Sequence, residues 1–119
     1  MIIENPIIVI PEQDGVDSTL QIIVKPNSDT VTVMELYRHW DSDTDDRLPT
    51  HLVNALFEAP SNILDLAKTL ERAELLAEGK AHKKCKCIVH LYHLLDDQPI
   101  VCPYLDTALR VAKTIANHP

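Results

Sequence analysis

Apolar and polar positions alternate along this chain with two different periods. Leu20, Ile22 and Val24 alternate with Gln21, Ile23 and Lys25, the two-residue period of a half-buried strand. Ahead of them stands the β-branched run Ile7-Ile8-Val9-Ile10, bracketed by Pro6 and Pro11, which predicts a strand held to an edge-like role. Gln13-Asp14-Gly15-Val16-Asp17 supplies turn chemistry between the two runs, with Gly15 free to take positive φ, so together they predict a hairpin. Pro26-Asn27-Ser28-Asp29 is a second turn, followed by Thr30–Tyr37, which is rich in β-formers and predicts a third strand. Val33, Leu36, Tyr37 and Trp40 also fit helical spacing. The strand is preferred, which makes residues 19–40 extended chain.

The period then lengthens. Asp41 to Arg47 is a polar loop, after which Thr50 can cap a short helix carrying Leu52, Val53, Leu56 and Phe57 on one face, closed by Pro60. Ser61 can cap a longer helix with Ile63, Leu66, Leu70 and Ala73 as its buried stripe, and Gly79 stands where a left-handed C-terminal cap is expected. Residues 84–95 fit either period. Read as a strand, they put Cys85, Cys87, Val89, Leu91 and His93 on one face and Lys86, Ile88, His90, Tyr92 and Leu94 on the other. Asp96-Asp97-Gln98-Pro99 reads as a turn and Pro99–Cys102 as a short returning strand. Asp106 can cap a last helix with Ala108, Val111, Ala112 and Ile115 facing inward. The predicted fold is α+β, an antiparallel sheet with three helices packed on one face, in the order β-β-β-α-α-β-β-α.

Composition adds bounds to this picture. The 119 residues, 45% of them hydrophobic, suit one domain over residues 1–119 with a core that needs neither disulfide nor metal. Gly15 and Gly79 are the only glycines, which excludes a glycine-rich phosphate-binding loop. The formal charge is −7 and uneven: residues 1–60 hold three basic and eleven acidic groups, whereas residues 61–119 hold eight and seven. Direct nucleic-acid binding needs clustered Lys and Arg, so this balance argues against it and is compatible with a basic protein partner or a homodimer. No signal-peptide pattern opens the chain and no apolar run reaches membrane-spanning length. Three cysteines, odd in number, read as reduced thiols of a cytoplasmic protein.

Three clusters could carry chemistry. Asp41, Asp43 and Asp45 alternate as a hard-cation loop would, but Asp46 stands where such a loop needs glycine and Leu52 where it needs a bidentate Glu. A solvated acidic loop is the simpler reading. Cys85, Cys87, His93 and Cys102 are zinc-ligand types, yet neither a strand nor a helix gathers four ligands from residues 82–93, so no metal or other cofactor is expected. Buried cysteines acting as small hydrophobes account for them. Leu36-Tyr37-Arg38-His39-Trp40-Asp41 crowds an imidazole, a guanidinium, an indole and a carboxylate at the mouth of a loop. A His39–Asp41 pair could orient a general base. Trp and Arg together are typical of protein-binding hot spots.

The same residues carry a resemblance. Leu36–Asp41, then Pro49 and the apolar positions Leu52, Val53, Leu56 and Phe57, resemble small uncharacterised proteins of bacteria and their phages that read Tyr-Arg-His-Trp-Asp-Gly-Tyr-Pro before a helix. After Asp41 the present chain has Ser42 and Asp43 in place of Gly and Tyr. The resemblance implies a strand-to-loop junction at Trp40 and Asp41, and no activity. The expectation is therefore a small non-enzymatic interaction or regulatory protein, phage-related by that likeness. Tyr37, Arg38, His39, Trp40, Asp41, Asp43 and Asp45 would form its contact. The alternatives are an acidic inhibitor that mimics nucleic acid, and a small enzyme using His39 with Asp41 or a reactive thiol.

Overall fold

A computed structural model describes residues 5–11, 18–39, 50–73, 87–90 and 100–117. The strands are β1 (Ile7–Ile10), β2 (Ser18–Val24), β3 (Thr30–His39), β4 (Thr50–Pro60), β5 (Cys87–His90) and β6 (Ile100–Cys102). The helices are α1 (Ile63–Arg72), between β4 and β5, and α2 (Leu105–Ala116), after β6. All strand pairs are antiparallel, and the sheet runs β4-β3-β2-β1-β5-β6. The class is α+β, as the alternating periods predict.

The core lies between one face of the sheet and the two helices. Ile8, Ile10, Leu20, Ile22, Val24, Val31, Val33, Ala59, Val89 and Cys102 are buried there against Leu66 and Leu70 of α1 and Leu105, Ala108, Leu109 and Ala112 of α2. The register explains the layer. Ile8 pairs with Ile22 and Val89, Ile22 with Val33, and Val33 with Phe57, so one row of apolar side chains crosses the sheet under the helices. Helix α1 places Leu66 and Leu70 four residues apart on the inward face, and α2 does the same with Leu105, Ala108, Leu109 and Ala112.

Polar ties fix one end of the domain. Asn27 takes a left-handed φ of 52° in the β2–β3 turn, and its amide donates to Asn117 Oδ1 at the end of α2 (2.8 Å). Ser61 donates its amide to the Asp29 carbonyl (2.8 Å) and accepts from Lys113 Nζ on its own carbonyl (2.8 Å). The turn, the start of α1 and the end of α2 are thus joined through groups that lie far apart in the chain.

Several expectations are corrected. Residues 50–60 are not a helix but β4, the edge strand beyond β3, so two helices pack on the sheet rather than three. The order becomes β-β-β-β-α-β-β-α. The cause is a bulge: Leu36 pairs with Val53 and Glu35 with Ala55, leaving Asn54 as an extra residue that breaks the two-residue alternation. Beyond it the alternation is plain, with Ala59 buried and Leu56 and Glu58 exposed. Strand β1 is not at an edge, since β2 and β5 flank it. Pro6 and Pro11 lie outside the strand, where they remove no ladder donor. Asn62, not Ser61, caps α1, its Oδ1 accepting from the Leu64 amide (3.0 Å), and Ala73 is the exposed C-cap. Tyr104 is the N-cap position of α2, and Asp106 accepts from the Thr107 amide one residue inside. Gly79 and most of residues 84–95 lie outside the described residues. The part that is described, Cys87–His90, is strand.

Candidate functional site

Strand alternation sends half of each strand's side chains away from the helices. In most one-sided sheets that half is polar. Here it is largely apolar. Val9 pairs with Gln21 and Ile88, Gln21 with Met34, Met34 with Leu56, and Ile88 with Val101. The resulting row, Leu56–Met34–Gln21–Val9–Ile88–Val101, crosses all six strands with one polar member. Ile7 and Ile23 extend it on one side, and Leu36 and Val53 on the other. Leu56 is 64% exposed, Val101 59% and Val53 57%, while Ile7, Val9, Ile23, Met34, Leu36 and Ile88 are half-buried.

One corner of this open face is polar. Glu58 on β4 accepts from Thr32 Oγ1 on β3 (2.6 Å) and from Lys25 Nζ just past β2 (3.2 Å). The Thr32 hydroxyl, then the Lys25 ammonium, hold the Glu58 carboxyl below its ordinary value, against an opposing effect of desolvation. The pair is solvent-exposed on both sides, so it finishes the rim of the apolar patch more than it stabilises the fold.

The residues singled out from sequence fall unevenly. Tyr37, Arg38 and His39 are the last three residues of β3, paired through the backbone with Leu52, His51 and Thr50. Trp40, Asp41, Asp43 and Asp45 lie outside the described residues. Cys87 and Cys102 are register partners on β5 and β6, both buried on the helix side. Cys102 is a free thiol, but Cys87 is disulfide-bonded, which corrects the reading of three reduced thiols. Cys85 and His93 lie outside the described residues. Among the described residues no three His, Cys, Asp or Glu side chains form a metal-binding group, and a bridged sulfur is not the thiolate that zinc needs.

A shallow groove of about 460 Å³ lies on the helix side, between the start of α1 and the outer surface of α2, lined by Asn62, Ile63, Asp106, Leu109, Arg110 and Lys113. Two of its polar groups already have work within the fold: Asn62 caps α1 and Lys113 binds the Ser61 carbonyl.

The apolar open face is hidden in the sequence because two of its three most exposed residues, Val53 and Leu56, fit one face of a helix, and the remainder read as the outward half of separate strands. The signal was present in Ile23, Met34 and Leu36, apolar residues at positions where alternation calls for polar ones. None of the described helices is long and apolar enough to cross a membrane. No protein-family model, no curated protein and no solved structure matches this chain.

Proposed function

We propose that this chain is a non-enzymatic protein-binding domain whose contact surface is the open face of its sheet. The observation that carries this reading is the row Leu56–Met34–Gln21–Val9–Ile88–Val101, apolar on five of the six strands and left uncovered by α1 and α2. A soluble domain gains nothing by leaving such a band in water, and large apolar patches with polar rims are characteristic of contact surfaces. Burying Leu56, Val101 and Val53 against another protein supplies the driving force at roughly 25 cal/mol per Å². The described side chains of the face hold one carboxylate, engaged by Lys25 and Thr32. This supports apolar contact over acidic mimicry of nucleic acid. Tyr37, Arg38 and His39 end the strand that carries Met34 and Leu36, and with the acidic stretch from Asp41 to Asp46 they would form the margin of the contact, where charge tunes association more than affinity.

Site-specific photo-crosslinking in cells tests the reading. A photoreactive residue at position 56 or 101 is expected to give discrete protein adducts, and one at Lys68 or Arg110, both exposed on the helices, is not. Adducts from the helix positions alone, or none from any position, would refute it.

A further inference from the structure

We infer that the occupant of the open face is a second copy of this chain, packed sheet against sheet about a two-fold axis that lies in the contact plane, parallel to the strands. The inference rests on the reading of that face as the contact surface and names its partner. Three observations select a copy of the chain.

The first is size. At about 3.3 Å per residue and about 4.8 Å between strands, the six strands present roughly 600 Å² on this side. Two copies would hide roughly 1,200 Å², the lower end of what specific interfaces need. Half that area, as a short peptide would cover, leaves Leu56 or Val101 in water.

The second is charge. The chain is formally −7, yet the described side chains of this face carry one cation and one carboxylate, Lys25 and Glu58, bound to each other. Among the described side chains of this face, that neutral pair neither attracts a charged partner nor repels an identical one. Charges elsewhere on the two copies are screened beyond about 8 Å at physiological ionic strength.

The third is the order of side chains across the sheet. A two-fold axis between β2 and β1 sets β4 over β6 of the other copy, and β3 over its β5. Leu56 then covers Val101 of the other copy and Met34 covers Ile88, so the two most exposed residues of the row, one at each end, bury each other. Gln21 lies beside the axis and close to its own equivalent. A primary amide both donates and accepts, so it can pair with an identical group, and the one polar member of the row stands where symmetry satisfies it. Aligned sheets about 10 Å apart leave room for such interdigitation.

Sedimentation velocity on the purified full chain tests this. The wild type is expected to sediment with the mass of two chains at micromolar concentration. Leu56→Lys and Met34→Lys should each raise the dissociation constant at least about tenfold, while Leu64→Lys, on the exposed side of α1, should remain dimeric. Gln21→Lys and Gln21→Glu should each be monomeric through like-charge contact at the axis, and an equimolar mixture of the two should restore the dimer. The mixture also shows that both variants are folded. A wild type that stays monomeric at high micromolar concentration, or a dimer untouched by Leu56→Lys, overturns the inference. If the wild type is monomeric and position 56 crosslinks to a different protein, the contact face stands and the copy is excluded. If the wild type is monomeric and neither position 56 nor position 101 crosslinks to anything, both fall.

Discussion

Glu58 shows how little a surface ion pair must do to matter locally. Its carboxylate is placed by strand register: Thr32 is its direct neighbour on β3, and Lys25 reaches it from the end of β2. Because the folded carboxyl titrates lower than the unfolded one, any stability it lends is fully present above the unfolded glutamate value of about 4.3. That stability is lost as pH falls through the depressed folded value. The Glu58 carbon resonance should therefore titrate below the ordinary glutamate range. In Thr32→Val, which removes the largest cause of that depression, the midpoint should rise. An unchanged midpoint would mean that the hydroxyl does not hold the carboxylate in solution.

Elements differ in how openly the sequence displays them, and the difference has a physical cause. Strands β2 and β3 are legible because Leu20, Ile22 and Val24 in one, and Val31 and Val33 in the other, alternate without interruption. Strand β4 was not, because one extra residue at Asn54 puts Leu52, Val53, Leu56 and Phe57 at intervals that copy one face of a helix. Helix α1 was legible because its stripe has a single period, and that stripe can be tested against its own outer side. Leu66→Ala removes a fully buried side chain beneath the helix and should cost about 2–5 kcal/mol in denaturant unfolding. Leu64→Gln, two residues away and 70% exposed, should stay within about 0.5 kcal/mol of wild type. Similar losses at both positions would contradict the packing of α1 onto β4.

At the scale of the whole molecule, strand order was the least legible property. Ile7 pairs with His90, a neighbour drawn from the other end of the chain, and no local period encodes such a pairing. The site suffered for the same reason: Leu56, Gln21, Val9 and Val101 become a surface only once β4, β2, β1 and β6 stand in order. Helix α2 packs on β1 and β2 as well as on β5 and β6, and so binds both halves of the sheet. One cooperative transition is expected on urea unfolding, with far-UV circular dichroism and the amide resonances of β5 and β6 changing together. Separate midpoints would show that the hairpin β5–β6 comes away on its own.

The inner position of β1 has a consequence for the nascent chain. Its second neighbour follows about eighty residues later in the chain, which at roughly 5–20 residues per second is a delay of several seconds on the ribosome. Throughout that interval one side of Ile7–Ile10 is an open hydrogen-bonding template. Pro6 and Pro11, which do no harm in the finished sheet, then limit how far a foreign strand could zip along it.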